Sequence, residues 1–162
     1  MTERESKAWE SLSLVEDPEI PVISVVELGI VRSVTDIDGV LNVEITPTYS
    51  GCPATQVIED SVIEALKQAQ LEPIHVKTVL SPSWSTSMIL ESGKEKLKKY
   101  GVAPPADEST DKRALMGDER QINCPQCGSN NTIMVSQFGS TPCKAHFKCK
   151  DCLEPFDYFK CL

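Results

Sequence analysis

The sequence predicts an α+β protein in which a small sheet, built from a hairpin plus a parallel strand, is covered by helices and followed by a small β-rich module. Three observations support this prediction. The dipeptide Asp38-Gly39 separates two β-branched runs, an amphipathic segment follows Pro53, and six of the seven cysteines lie between positions 124 and 161. A chain of 162 residues has room for one ordinary domain and a small module of this kind.

The first elements are a short helix and a hairpin. Residues 4–14 place apolar side chains at helical spacing, and the two prolines of D-P-E-I-P must end that helix. Two β-branched runs then predict strands at about 30–37 and 40–46. Asp38-Gly39 between them is typical of a type I′ turn, which requires positive φ angles.

A helix, a third strand and a further helix are expected next. From Pro53 onward apolar residues recur on one helical face, and the segment H-V-K-T-V-L alternates as a strand does. Another helix is expected at about 86–99, where its C-terminal lysines suit the negative end of the helix dipole. The helices then cover one face of the sheet, and the strand–helix–strand step is right-handed.

Composition divides the chain into three segments. Residues 102–120 combine Pro-Pro, Gly and many charges, which is typical of a linker. We therefore expect a first domain at 1–101, a linker at 102–120 and a second domain at 121–162.

Charge and the N-terminal segment argue against two classes of partner. Residues 1–100 carry 9 Lys or Arg against 16 Asp or Glu, and an acidic body repels the phosphates of nucleic acids. The N-terminal residues lack the apolar segment of a secretory signal, and no apolar run is long enough to span a bilayer. We expect a cytoplasmic protein, in which paired cysteines bind metal rather than form disulfides.

The C-terminal cysteines predict a metal-binding ribbon. C-P-Q-C contains Cys124 and Cys127, C-K-D-C contains Cys149 and Cys152, and 21 residues separate the pairs. Four thiolates complete a tetrahedral, closed site, so structural zinc is the first interpretation. Strands are expected in N-T-I-M-V-S-Q-F, A-H-F-K and F-D-Y-F-K. So small a module buries too little apolar surface to fold unaided, and metal binding must supply on the order of 10 kcal/mol.

Alternatives stay open in this tail. An iron–sulfur cluster is the second interpretation, although the spacing matches neither common ferredoxin pattern. Cys143 and Cys161 are candidate additional ligands; core packing is the default for Cys143, whereas Cys161 is either inert, a ligand to a second metal, or a ligand to a partner's ion. His146 is expected to pack or face solvent.

The remaining cysteine, Cys52, precedes Pro53. Because proline is favoured at the first helical position, Cys52 is expected at the N-cap, where free N–H groups and the helix dipole favour a thiolate. Such a thiolate is a nucleophile, a redox group or a soft-metal ligand, and simple burial is the alternative. The two histidines form no Cys-His-Asn signature with it.

Longer motifs resemble a known family. D-P-E-I-P-x-x-S-x-x-E-L-G-I-V-R-S-V and I-T-P-T-Y-S-G-C-P-A are similar to the SufT-like iron–sulfur assembly proteins, in which a small α+β domain carries one reactive cysteine before a helix. C-P-Q-C-G-S, F-G-S-T-P-C-K-A and C-x-x-C-x-E-P-F-D-Y-F-K-C complete a likeness, over essentially the whole chain, to the PaaD-like accessory proteins of the phenylacetyl-CoA epoxidase system.

This resemblance implies a role in maturation rather than catalysis. PaaD-like proteins accompany a multicomponent di-iron oxygenase, and the implied task is assembly or delivery of an iron–sulfur cluster, with the reductase component as recipient. Other oxygenase subunits and the general assembly machinery are further implied partners, and a homo-oligomer is allowed. Two alternatives remain, namely a structural or docking subunit of the oxygenase and a thiol enzyme that uses Cys52.

The resemblance also implies a set of loop residues. Asp17, Glu19, Thr48 and Cys52 match the family loop. Asp17 and Glu19 either cap backbone N–H groups or are ordinary turn residues. The Cys52 thiolate would hold iron or a cluster transiently, with a second protomer or a partner completing the site. Trp84 of S-P-S-W lines the same edge or belongs to the core.

Overall fold

The computed structural model describes residues 1–105 and 121–160, and the chain divides into two compact units. The first unit comprises Met1–Trp84 and Met88–Gly93, and the second comprises Ser85–Ser87 and the chain from Lys94 onward. In the described part of the chain, no helix is long and apolar enough to cross a membrane.

The first unit has the predicted α+β architecture. Its elements in chain order are α1 (Glu3–Leu12), β1 (Val31–Ile37), β2 (Val40–Ile45), α2 (Thr55–Gln68) and β3 (Ile74–Thr78). The sheet has the order β1-β2-β3, with β1 antiparallel and β3 parallel to the central β2. Helix α1 contacts α2 and β1, and α2 contacts β3. The predicted hairpin plus a parallel strand is therefore confirmed.

Polar contacts anchor α1 to the hairpin. Thr2 and Glu5 form a reciprocal capping box, and a second oxygen of Glu5 accepts a hydrogen bond from the Asp36 backbone N–H at 3.0 Å. Arg4 pairs with the Asp36 carboxylate at 3.0 Å and donates to the Leu71 carbonyl oxygen at 2.7 Å. These contacts hold the N-terminal helix against the end of β1 and the chain before β3.

A tight turn precedes β1 and packs against a later segment. Gly29 has φ +74°, and a Cβ atom there would overlap the Met88 carbonyl oxygen. The indole N–H of Trp84 donates to the Leu28 carbonyl oxygen at 2.9 Å, and only 5% of Trp84 is exposed. Of the two roles considered for Trp84, the structure supports the core.

The predicted helix at about 86–99 is wrong in its first part. The structure has a short 3₁₀ turn at Thr86–Met88 and a separate helix, α3, at Glu91–Tyr100. The two do not merge because the Leu90 N–H donates to the Glu27 carbonyl oxygen at 2.8 Å instead of to a helical carbonyl.

The second unit is a four-stranded sheet. Its strands are β4 (Val102–Ala103), β5 (Thr132–Ser136), β6 (Lys144–Cys149) and β7 (Pro155–Phe159), in the order β4-β7-β6-β5. Phe147 is fully buried and packs on Phe156 and Tyr158, with ring centroids 5.9 and 5.8 Å apart. Val102 and Ala103, which the sequence assigned to the linker, pair with β7 in parallel. Residues 106–120 of that segment lie outside the described residues.

Candidate metal centre and the Cys52 loop

The second unit brings four sulfur atoms together. The Sγ atoms of Cys124, Cys127, Cys149 and Cys152 all lie within 4.8 Å of one another. Cys124 lies 3.7 Å from Cys152, and Cys127 lies 3.6 Å from Cys149. A tetrahedral ion with metal–sulfur bonds of about 2.3 Å requires sulfur separations of about 3.8 Å. The four thiols thus fit a single metal ion, as the spacing of the two pairs predicted.

Two backbone knuckles hold the sulfur atoms in place. In the first, the Gly128 N–H donates to the Cys124 carbonyl oxygen at 2.9 Å, and the positive φ of Gly128 permits this reversal. In the second, the Cys149 N–H donates to the Glu154 carbonyl oxygen at 2.9 Å, and the Cys152 N–H points at the Cys149 sulfur at 3.5 Å. Both knuckles therefore direct their cysteine sulfur atoms toward the same point.

Asp151 ties the two knuckles to each other. Its carboxylate accepts hydrogen bonds from the Ser129 hydroxyl and from the Asn131 side-chain amide, the latter at 2.7 Å. These two bonds lower the pKa of Asp151. The sequence did not predict this brace, because nothing in C-K-D-C distinguishes it from a solvent-facing Asp.

The thiols influence one another's ionisation. The pKa of Cys149 is lowered to about 7, chiefly because the Cys152 backbone N–H donates to its sulfur. For Cys152, the Glu154 backbone N–H lowers the pKa, but burial and the neighbouring thiols together raise it to about 12. Four sulfurs this close cannot all carry negative charge unless a cation lies between them. The arrangement is that of a metal site.

Two other residues considered in the ribbon, Cys143 and His146, lie outside this group. Cys143 is 3% exposed, and its sulfur lies 3.0 Å from the Thr141 hydroxyl, which agrees with the expected packing role. His146 pairs across the sheet with Asp157 at 3.2 Å. Cys161 lies outside the described residues.

The predicted N-cap position of Cys52 is wrong. Helix α2 begins at Thr55 and its N-cap is Ala54, so Cys52 lies two residues before the cap. The Cys52 carbonyl oxygen accepts hydrogen bonds from the Thr55 N–H at 3.2 Å and the Thr55 hydroxyl at 2.9 Å, while the Cys52 N–H donates to the Tyr49 carbonyl oxygen. These bonds place an extra turn between Cys52 and the helix. The thiol is correspondingly closed in, with 9% of the residue exposed.

The other loop residues have distinct environments. The Asp17 carboxylate accepts hydrogen bonds from the N–H groups of Glu19 and Ile20, both at 2.9 Å, so of the two roles considered for Asp17 the structure shows the capping of backbone N–H groups. Glu19 and Thr48 are half-buried. The four ribbon cysteines are close enough to share one metal ion. Within the described part of the chain, Cys52 does not belong to any group of three or more potential metal ligands.

Thr46, at the start of the Cys52 loop, is a candidate binding residue that was not predicted from the sequence. Thr46 is 1% exposed, and its hydroxyl has no hydrogen-bond partner among the described residues. Buried hydroxyls are normally paired, so this one remains available to a bound group or a water molecule. The signal in the sequence was a polar residue directly after the apolar strand β2.

Each of the two units contains a segment that matches a known protein family. Residues 5–81 match the family model for an iron–sulfur cluster assembly protein, and residues 108–160 match the model for a PaaD zinc beta ribbon domain. A protein of Escherichia coli (strain K12), named as a subunit of 1,2-phenylacetyl-CoA epoxidase, is 43% identical over 154 residues, which cover 95% of this chain and 91% of that protein.

Two further relatives match only part of this chain. The Fe-S protein maturation auxiliary factor SufT of Staphylococcus aureus (strain USA300) is 37% identical over 78 residues, covering 47% of this chain and 88% of that protein. A crystal structure of a domain of unknown function, DUF59, from Bacillus anthracis superimposes with a TM-score of 0.54 at 30% identity, covering 58% of this chain and 91% of that one. Each of these two proteins is therefore matched over most of its own length but over only about half of this chain.

Proposed function

Because this chain belongs to the PaaD family, in which an iron–sulfur assembly domain precedes a zinc ribbon, we propose that it is an accessory factor that matures the phenylacetyl-CoA epoxidase system. Its task in this proposal is assembly or delivery of an iron–sulfur cluster to the reductase component. Other oxygenase subunits and the general assembly machinery are further proposed partners.

The observation that carries the proposal is the way the matches divide along the chain. Residues 5–81 match the iron–sulfur assembly family and residues 108–160 match the PaaD zinc ribbon family, whereas the relative named for the epoxidase covers 95% of this chain. The first unit is thus proposed to supply the maturation activity, and the ribbon to direct that activity to the epoxidase.

Cys52 is proposed as the ligand to the iron cargo. It is the one cysteine within residues 1–100, and its loop is held by backbone hydrogen bonds rather than by the thiol itself. A single thiolate holds iron loosely, so a second protomer or the recipient is proposed to complete the coordination in the cell, and release to the recipient is easy. We propose that the loop is shaped by Asp17, Glu19 and Thr48. The Thr46 hydroxyl, six positions before Cys52, has no partner among the described residues and could donate a hydrogen bond to a bound group.

The ribbon metal is proposed to be zinc with a structural role. Four cysteine ligands leave no open coordination position for water or substrate, so the ion acts as a cross-link between two knuckles. Its ligands would be Cys124, Cys127, Cys149 and Cys152. Neither Cys143 nor Cys161 is needed to complete this set.

A catalytic function of its own is not proposed. A thiol enzyme commonly activates its nucleophile with a general base within hydrogen-bond reach. The two histidines are engaged elsewhere, since His75 Nδ1 lies 3.3 Å from the Asn42 side-chain oxygen and His146 pairs with Asp157. This supports an accessory role over the thiol-enzyme alternative.

Deletion of the gene tests the proposal against the docking-subunit alternative. In the deletion strain, the oxygenase subunits should be expressed, but the purified reductase should lack iron and sulfide, and the system should be inactive. Chemical reconstitution of that reductase should restore activity without this protein. A reductase isolated with its full cluster from the deletion strain would instead favour a structural or docking subunit.

A further inference from the structure

The first unit carries a groove on the outer side of α2. The groove has a volume of about 630 Å³ and is lined by Val15, Glu16, Val57, Asp60, Ser61, Glu64, Ala65 and Gln68. The α2 residues among these recur every three or four positions over 12 residues, so they form one stripe about 16 Å long. The opposite wall is the segment that follows α1.

Both walls of the groove are fixed. On one side α2 is anchored by buried Ile58, Val62 and Leu66. On the other side the Val15 carbonyl oxygen accepts a hydrogen bond from the Val25 N–H at 2.9 Å, and Glu16 forms a β-bridge with Ser24. The groove is therefore preformed rather than opened by a ligand.

The groove is lined by apolar and acidic side chains. We call the apolar residues Val15, Val57 and Ala65 its floor and the acidic residues Glu16, Asp60 and Glu64 its rim. Val57 is 51% exposed, although it is a large aliphatic residue on a helix, and Val15 and Ala65 are half-buried. The carboxylates of Glu16, Asp60 and Glu64 are exposed and form no ion pair with any described residue.

Two glutamines hold the rim carboxylates in position along α2. The Gln56 side-chain amide donates to Asp60 and the Gln68 side-chain amide donates to Glu64, each at 3.0 Å. Lys67, the one basic residue of α2, does not line the groove. The groove thus presents three negative charges, two of them held by these amides, around an exposed aliphatic floor.

We propose that this groove docks a basic amphipathic helix of about three turns from a partner protein, with an apolar face on Val57 and Ala65 and with Lys or Arg side chains opposite the three carboxylates. Such helix-in-groove recognition needs a preformed apolar channel of this length and a complementary rim. The proposal stands on the groove alone and does not require Cys52 to carry iron.

A second copy of this chain is the less suitable occupant. Residues 1–100 carry 9 Lys or Arg against 16 Asp or Glu, so two first units repel each other. Helix α3 has four lysines, but its one aliphatic residue other than glycine, Leu97, is fully buried within its own chain. Its exposed hydrophobic residue is the single Tyr100, which does not form an apolar helix face.

The test uses the full-length, metal-loaded protein and a synthetic probe. The probe is a helical peptide of about 12 residues with leucines on one face and lysines on the other, and its control has glutamate at every lysine position. Binding is measured by fluorescence anisotropy, and the site is mapped by backbone amide chemical shifts. The lysine peptide should bind saturably, more weakly at high salt, with shifts concentrated in α2 and at Val15 and Glu16.

Matched variants decide between specific docking and general charge attraction. Glu64→Lys should weaken binding about fivefold, whereas Glu72→Lys, with the same net charge and an exposed position outside the groove, should change it less than about twofold. Val57→Ser should weaken binding by a similar factor at low and high salt. Equal effects of the two charge reversals, equal binding of the glutamate peptide, or no saturable binding would overturn the proposal. A dimer in sedimentation analysis that Val57→Ser dissociates would overturn it too and assign the groove to a second copy.

Discussion

The sulfur atoms of Cys124 and Cys152 lie 3.7 Å apart, although the two residues are 28 positions apart in the sequence. Cys127 and Cys149 form the corresponding pair at 3.6 Å. Both contacts run between the two knuckles, so an ion at the centre would join them.

Loss of one ligand should unfold the ribbon and leave the first unit folded. We expect the purified wild type to contain about one zinc per chain, and Cys149→Ala to lose it, because three thiolates no longer close the site. The metal contributes on the order of 10 kcal/mol in such modules, so residues 121–160 should lose their dispersed amide resonances. Metal analysis and two-dimensional NMR of the same samples measure both effects.

Cys143→Ala is the matched control for the zinc prediction. It removes a buried thiol of the same unit that lies outside the four-sulfur group, so metal content should be unchanged. Wild-type protein that contains iron and no zinc would contradict the zinc assignment, and loss of metal from the control would contradict the ligand set.

Glu5 should make the stability of the first unit pH-dependent. Its pKa lies below the usual 4.5, because the Asp36 and Thr2 backbone N–H groups donate to its carboxylate. A lowered folded-state pKa means that the stabilisation is complete above about pH 4.5 and is lost as the pH falls below it. The stability difference between wild type and Glu5→Gln should therefore shrink on acidification, as measured by urea unfolding at several pH values.

Glu10→Gln provides the comparison for Glu5, since it lies on the same helix and its carboxylate accepts no hydrogen bond from the described residues. Because no side-chain hydrogen bond is lost, Glu10→Gln should change the free energy of unfolding little. A difference for Glu5→Gln that stays constant from neutral to strongly acidic pH would mean that these hydrogen bonds do not matter in solution.

Substitutions at two glycines should distinguish the cost of backbone strain from the cost of steric overlap. Gly29 and Gly39 both have positive φ, but a Cβ atom at Gly29 would overlap the Met88 carbonyl oxygen, whereas nothing lies within 4 Å at Gly39. Gly39→Ala should cost about 1 kcal/mol through the unfavourable φ alone. Gly29→Ala should cost at least about twice as much in the free energy of unfolding, because overlap adds to strain. Equal costs in denaturant titrations would contradict the close packing of the Met88 segment.

The Cys52 thiol should be protected from alkylation in the free protein. It is 9% exposed, so N-ethylmaleimide should modify it at least about tenfold more slowly in the native state than in the urea-unfolded chain. Mass spectrometry of peptides from timed samples gives both rates. Native-state modification as fast as that of the unfolded chain would show that the loop opens readily without a partner.

The sequence alone predicted the features that depend on local patterns. The hairpin followed from Asp38-Gly39, which adopt positive φ as expected, and the metal site followed from two Cys-x₂-Cys pairs whose sulfur atoms meet in the structure. The features it missed depend on contacts distant in the chain. The separate helix α3 results from the Leu90–Glu27 hydrogen bond, and the brace from Asp151 needs Ser129 and Asn131 beside it.

The error at Cys52 comes from a competing local turn. Proline is favoured at the first helical position, which placed Cys52 at the N-cap. In the structure Thr55 bonds back to the Cys52 carbonyl oxygen and Ala54 takes the cap position, so the helix begins two residues later. Propensity at Pro53 could not reveal this turn.

Anaerobic reconstitution with iron and sulfide tests the central proposal most directly. Wild type and Cys52→Ser, both with their ribbon metal in place, are compared by visible absorbance and by iron and sulfide content. We expect a charge-transfer absorbance and bound iron beyond the ribbon metal in the wild type, and neither in Cys52→Ser, with both proteins equally folded. Equal iron and sulfide binding by the two proteins would contradict the assignment of Cys52 as the ligand that holds the cargo.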